Sequence, residues 1–173
     1  MRRLDSPEDI ALLKAYLKKS VDLGSAGLGD VSPRSDVTVL MYFFWKEDLA
    51  EEKWFEFEGA MLETWRNCGL LKTVIVSNTL HQCLQQFAAK FDNVEIQIEQ
   101  RLVPGDIISM SYDCNARLYQ RFNTDYVLIV QNDGFPLRRG LDEFVEARYD
   151  FIGAPHCKSL FLPSLLTKLL RYC

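Results

Sequence analysis

The sequence lacks most of the patterns that announce common kinds of protein. No apolar run approaches the roughly 18 residues of a membrane span. Histidine occurs only at His81 and His156. The five cysteines (Cys68, Cys83, Cys114, Cys157, Cys173) are scattered, odd in number and never paired as Cys-x-x-Cys. This argues against zinc ligation and a disulfide framework, and it predicts reduced thiols in a cytoplasmic protein. Met1-Arg2-Arg3-Leu4-Asp5 carries charge with no apolar stretch behind it, so no signal peptide is expected. There is no Gly-x-x-x-x-Gly-Lys-Ser/Thr and no Gly-x-Gly-x-x-Gly, which excludes a P-loop and disfavours a dinucleotide site. No Gly-x-Ser-x-Gly elbow anchors a hydrolase triad. An acidic pair directly at the end of the first strand, as a phospho-acceptor receiver needs, is also missing: Phe44-Trp45-Lys46 stand there. Nor is there a basic excess. With Lys+Arg at 20 and Asp+Glu at 24 the net charge is -4, so no nucleic-acid partner is expected. A small phosphorylated ligand needs only a few local donors and stays open.

What is present suits one domain with a real core. The chain has 173 residues, 48% hydrophobic and 25% charged, and a chain of this length buries about 70% of its extended area on folding. Ser6-Pro7-Glu8-Asp9 is a helix start, with Ile10, Leu13, Leu17 and Val21 following at helical spacing. Residues 22–36 are rich in Gly, Ser, Asp and Pro and read as a linker. Residues 1–36 thus form an N-terminal helix and linker, 37–157 the main domain, and 158–173 a Leu-rich tail.

Val37–Phe44 is a continuous β-branched and aromatic run, the pattern of a strand buried on both faces. A helix is expected over 47–67 with Gly69 as its C-cap, a strand over 73–77, and a helix over 79–91 with Leu80, Leu84, Phe87 and Phe91 on one face. Val94–Ile98 alternates like an edge strand. A helix over about 106–122 follows, then Tyr126–Val130, the most apolar strand and expected at the centre of the sheet. A short helix near 141–147 and a last strand at 149–153 complete the order. Alternating strands and helices predict an α/β fold, a mostly parallel sheet with helices on both faces. Its ligands would bind beyond the carboxyl ends of the strands.

Residues at those ends carry the candidate chemistry. Gln131-Asn132-Asp133-Gly134 follows the Tyr126–Val130 strand. Asp133 there is a hard oxygen ligand for Mg²⁺ or Mn²⁺ shared with substrate phosphates, and Gly134 allows close backbone approach. The alternative is a plain tight turn, since Asp-Gly between apolar runs is a hairpin signal, which Pro136 weakens. Tyr42 and Trp45 end the first strand and can stack on a base or enter the core. Phe43 reads as core. Asn78, after the second strand, either contacts base or ribose or caps the next helix. Asn115 and Arg117 on the third main-domain helix either approach a diphosphate or line a solvated face. Asp113 can face either way, and Arg138-Arg139 reads as an exposed pair.

The segments Tyr126–Gly134, Asp142-Glu143-Phe144 and Tyr149-Asp150-Phe151-Ile152-Gly153-Ala154-Pro155 together resemble a family of glycosyltransferase-like domains. That family carries Gln-x-Asp-Gly after an apolar strand and a later Tyr-Ile-Gly-Ala-Pro, and it is similar to the nucleotide-sugar-binding half of the GT-A fold. The match is specific over about 109–155 and generic over 37–100. The resemblance implies a nucleotide-diphospho-sugar donor held by Tyr42, Trp45, Asn78, Asn115, Arg117, Gln131, Asp133 and Gly134. Asp133 would stand for the last acid of the Asp-x-Asp motif and hold Mn²⁺ or Mg²⁺. Gln131 replaces the first acid, so one metal-binding carboxylate is lost and Gln131 is left to hydrogen-bond sugar or ribose. The family's acceptor-side segment does not follow Pro155 in this sequence. A general base is not evident either: Asp142 and Glu143 are expected on a surface helix.

Two other readings compete. One is a non-catalytic interaction domain. Its tail (Leu160, Phe161, Leu162, Leu165, Leu166, Leu169 and Leu170, with Lys158, Lys168 and Arg171) would form a short amphipathic helix for a membrane surface or self-association, rather than pack on its own domain. The other is a nucleotidyltransferase, which needs a second carboxylate beside Asp133.

Overall fold

The computed structural model describes residues 6–45, 51–104 and 106–149, with backbone only for Glu51, Glu52 and Ile107. The expected strand at 149–153, apart from Tyr149, and the tail lie outside the described residues. The elements are α1 (Pro7–Leu23), β1 (Val37–Phe43), α2 (Glu51–Cys68), β2 (Lys72–Ser77), α3 (Gln82–Ala88), β3 (Val94–Ile98), α4 (Ile107–Arg121), β4 (Tyr126–Val130) and α5 (Leu141–Glu146). The four strands form a sheet of order β3-β2-β1-β4, and every pairing is parallel. The fold is therefore α/β. Among the described residues no helix is long and apolar enough to cross a membrane.

Strand alternation sorts the core into two layers. Val37, Val39, Met41 and Phe43 point with Ile75 and Val130 into a cluster that also holds Leu17, Phe57, Met61, Trp65, Leu84, Phe87 and Val145. So α1, α2, α3 and α5 lie on that face. Leu40, Val74 and Val76 point the other way, to Leu102 and to Leu118 of α4. Helices thus flank both faces, as parallel strands require.

Local signals explain most element ends. The Ser6 hydroxyl accepts from the Asp9 N–H at 3.0 Å, and Pro7 opens α1. Gly69, at φ +86°, ends α2 by donating to the Trp65 carbonyl at 2.8 Å. A Cβ there would meet the Val31 carbonyl at 2.8 Å. Asp106 caps α4 through the N–H groups of Ile108 and Ser109.

The segment expected as a linker folds back onto the body, with Leu28 buried in the first core cluster. Helix α1 packs directly on α2. Gly59 lets the backbones touch: an added Cβ would sit 2.8 Å from the Leu17 carbonyl. Arg66 donates to the carbonyls of Ser20, Gly24 and Ala26, satisfying the open end of α1, and to Glu63 at 2.7 Å. Tyr16 donates to the other Glu63 oxygen at 2.6 Å, and its phenol is pushed up to about 12 by burial and by Glu63.

Two expectations change. The expected apolar face of the third helix loses Leu80, which lies before α3 begins and is exposed. Strand β4 is not central: among the described strands it pairs only with β1, and β1 and β2 are the inner strands.

Candidate functional site

The strand order reverses between β1 and β4. The chain steps from β1 outward through β2 to β3, then crosses by α4 to the far side of β1. In open parallel sheets the crevice at such a reversal, beyond the carboxyl ends of the two strands, is where ligands bind. Here it is flanked by Phe44-Trp45 after β1 and Gln131–Gly134 after β4.

Gln131–Gly134 forms a tight reversal. The Gln131 N–H donates to the Gly134 carbonyl at 2.9 Å, and the Gly134 N–H returns a bond to Gln131 at 3.1 Å. The tight turn is thus what the backbone forms here, and it leaves the side chains of Gln131 and Asp133 exposed. Neither Asn132 nor Asp133 has a positive φ, so the Asn-Asp pair forms the turn without the left-handed backbone of the commonest hairpins. The chain then runs back over the first core face. Phe135 stacks with Tyr16, their centroids 6.4 Å apart, and the Pro136 carbonyl accepts from Asn67 at 3.0 Å.

The side chain of Asn132 donates to Glu56 Oε2 at 3.1 Å, anchoring the turn to α2. Glu56 is only 5% exposed and meets Lys53 Nζ at 3.1 Å and Lys14 Nζ at 3.5 Å. Asp133 is exposed, and among the described residues no group pairs with its carboxylate. Gln131 is exposed as well. At Gly134 an added Cβ would meet only the Gln131 Cβ at 4.0 Å, so the turn is open on this side.

Across the crevice, Trp45 is half-buried and stacks on His81 with centroids 3.3 Å apart. Its main chain is held at both ends by Asn78. The Trp45 N–H donates to Asn78 Oδ1 at 2.8 Å, and Asn78 Nδ2 donates to the Trp45 carbonyl at 3.1 Å. The amide of Asn78 is therefore a clamp. The cap of α3 is His81, whose Nδ1 accepts from the Cys83 N–H.

The other expected residues belong to a second cluster on the α4 face. Tyr42 donates to Asp113 Oδ2 at 2.8 Å, and Arg121 binds both oxygens of Asp113. Burial first, then hydrogen bonds with Cys114 and Asp113, push the Tyr42 phenol far above its ordinary range, so it stays a proton donor. Arg117 and Arg121 both bind Glu99, at 2.6 and 3.2 Å. Two guanidiniums and two carboxylates thus neutralise each other under α4, as buried charges must. Phe43 is core, as expected. Asn115 is exposed and bonds back to the Ser111 carbonyl within its own helix.

The carboxyl ends of the paired strands thus carry Trp45 after β1 and Gln131, Asp133 and Gly134 after β4, with Asn78 bonded to the Trp45 main chain. Tyr42 and Arg117 are engaged elsewhere, and Asn115 is on the outside of α4. Glu56 was missed because a lone acid in an amphipathic helix gives no local signal. Asp142, expected on a surface helix, is paired with Arg34 at 3.0 Å. It lines a hollow of about 260 Å³ with Asp30, Asn67, Cys68 and Arg139. That hollow adjoins the segment before β1 and the end of α2, opposite the crevice.

Among the described residues no three His, Cys, Asp or Glu side chains come together as a metal site. A cation at Asp133 would therefore take most of its oxygens from substrate phosphates and water, which is how Mg²⁺ commonly binds.

A family model described as a protein of unknown function (DUF5672) matches residues 108–168. The match runs from α4 through β4 and α5 into the segment beyond Tyr149. No curated protein and no solved structure matches the chain.

Proposed function

We propose that the chain is a glycosyltransferase-like domain that binds a nucleotide-diphospho-sugar in the crevice between β1 and β4. The observation that carries this reading is Asp133: an unpaired, exposed carboxylate on a two-sided turn, at the reversal of strand order in a parallel sheet. The turn fixes the backbone that carries this carboxylate, so only side-chain freedom is lost on binding. It accepts from sugar hydroxyls directly, or shares Mn²⁺ or Mg²⁺ with the diphosphate, where the metal supplies Lewis-acid stabilisation of the leaving group. Gln131 adds a neutral donor and acceptor for sugar or ribose hydroxyls. The half-buried ring of Trp45, braced by His81, offers an aromatic edge for the base.

The role proposed is donor binding. A general base must lie within about 3 Å of the acceptor proton, and Asp142 is committed to Arg34 at the far end of the sheet. A nucleotidyltransferase would want a second carboxylate next to Asp133. The nearest buried acid tied to the turn, Glu56, is already held by Lys14, Lys53 and Asn132.

Thermal unfolding with UDP, GDP, CMP and their sugars, with and without Mn²⁺, tests the proposal. A ligand at a hundredfold excess over its Kd adds about 2.7 kcal/mol, which raises Tm by roughly 5–10 °C for a chain of this length. The expected result is a rise with one nucleotide class that Asp133→Asn abolishes. No rise with any of them, or an equal rise in the variant, overturns it.

A further inference from the structure

Glu56 ties together α1, α2 and the turn after β4. It is buried, and two ammonium groups meet it. Lys14 Nζ of α1 lies 3.5 Å from Oε1, and Lys53 Nζ of α2 donates to Oε2 at 3.1 Å. Asn132 Nδ2 donates to the same Oε2 at 3.1 Å, so Lys53 and the turn stand side by side on one oxygen. One carboxylate faces two ammoniums, which leaves a surplus positive charge at this place. Lys53 holds it available: among the described residues Glu56 is its only partner, and one of its three N–H donors is spent. Lys53 also belongs to the first turn of α2, the helix that follows β1, so it lies at the carboxyl end of the sheet as the turn does.

The turn itself brings no cation. Gln131, Asn132 and Gly134 are neutral and Asp133 is an anion. A phosphate held beside it would meet a like charge unless a cation stood close by. We infer that Lys53 is that cation: a phosphate-binding residue of the crevice, set beside the turn by Glu56, with a diphosphate as its ligand. The diphosphate rests on the donor-binding reading above; the cationic contact is tested without a nucleotide. An ammonium acts on phosphate oxygens as a point charge with rotatable donors. Lys53 can turn its remaining N–H groups to the ligand while Glu56 keeps the first. Glu56 is then a positioning residue, fixing cation and turn from one buried carboxylate, and Lys14 keeps that carboxylate paired whether or not Lys53 is engaged. Asp133 and Lys53 do not pair with each other. The carboxylate is thus left for sugar hydroxyls or a metal, and the ammonium for phosphate. A lysine in an amphipathic helix reads as a solvated one, so no local pattern marks Lys53.

The test is titration calorimetry of the full chain with inorganic pyrophosphate in EDTA, at constant ionic strength, with sulfate as the control anion. Metal-free pyrophosphate separates this contact from the metal and sugar contacts proposed for Asp133. Wild type is expected to bind pyrophosphate more tightly than sulfate. Lys53→Met should weaken pyrophosphate binding at least about tenfold, the loss of one charge-assisted contact. Lys53→Arg, which keeps the charge, should retain most of it. Asp133→Asn should bind pyrophosphate no more weakly than wild type. Lys14 and Asn132 still hold Glu56 in the Lys53 variants, and their urea midpoints check that the fold stands. No binding of pyrophosphate by wild type overturns the inference. So does equal binding by Lys53→Met, or an equal loss in Lys53→Met and Lys53→Arg. Pyrophosphate bound through Lys53 with no Tm response to any nucleotide would keep this contact and remove the donor reading. A nucleotide response that needs Asp133 but not Lys53 would do the reverse.

Discussion

Asn132 and Glu56 are 76 residues apart in sequence and joined at 3.1 Å, the amide of the turn donating to a carboxylate of α2. The bond fixes one residue of the turn so that its neighbour, Asp133, is directed away from the body. A hydrogen bond to a charged group contributes about 1.5–3 kcal/mol. Asn132→Ala is expected to lower stability by about that much in urea denaturation. It should also weaken any nucleotide-dependent rise in Tm without abolishing it. An unchanged midpoint would mean that the turn stands without its anchor.

Tyr42 and Asp113 provide a contrasting case. If Tyr42 serves the packing of α4, then Tyr42→Phe, which removes a hydrogen bond to a carboxylate, costs about 1.5–3 kcal/mol and leaves the nucleotide response intact. Asp113→Ala leaves Arg121 with Glu99 as its remaining carboxylate, so its cost should exceed that of Tyr42→Phe and stay below the about 3–5 kcal/mol of a fully stranded buried charge. A Tyr42→Phe variant that keeps its stability but loses the nucleotide response would move Tyr42 into the site.

Acid should loosen the α1–α2 contact. Burial of Glu63 opposes its charge, but hydrogen bonds from Tyr16, Ser20 and Arg66 outweigh it and hold the carboxyl below its ordinary value. A carboxyl depressed in the folded state contributes stability above its unfolded pKa of about 4.3. That contribution is lost as the pH falls through the folded value. Denaturation midpoints from pH 6 down to 3 should therefore fall more steeply in wild type than in Glu63→Gln, whose stability is lower at pH 6. Parallel curves would remove Glu63 from the acid response.

Gly59→Ala should be destabilising despite the better helix propensity of alanine. Its Cβ would press on the Leu17 backbone at 2.8 Å, and overpacking of this kind costs about 1–3 kcal/mol. A thermal midpoint at or above that of wild type would show that α1 shifts freely on α2.

The strands were legible because Val37–Phe43 and Tyr126–Val130 lie in β-branched and aromatic runs, and burial is what such runs report. Their order was not legible from apolarity. β4 is the more uniformly apolar, yet β1 is an inner strand, because the crossover through α4 decides which strand gains two neighbours. The same limit applies to side chains. Gln131-Asn132-Asp133-Gly134 could be picked out because a turn after a strand is a local pattern. Asn78 looked like a cap because its partner, the Trp45 main chain, lies 33 residues away. Arg117 looked available for phosphate because Glu99 is 18 residues distant, on another element.

The inner position of β1 also bears on how the protein is made. Thr38 and Thr124, hydrogen-bonded at 2.8 Å where β1 meets β4, are separated by 86 residues. Contacts of such long range close late, since the loop entropy must be overcome before they contribute. During synthesis, β1, β2 and β3 can pair with α2 and α3 against them before β4 has left the ribosome. The crevice needs both of its walls, so the site proposed above would be completed after most of the core has set. A nascent chain would thus bury much of the first core layer before β4 adds Val130 to it.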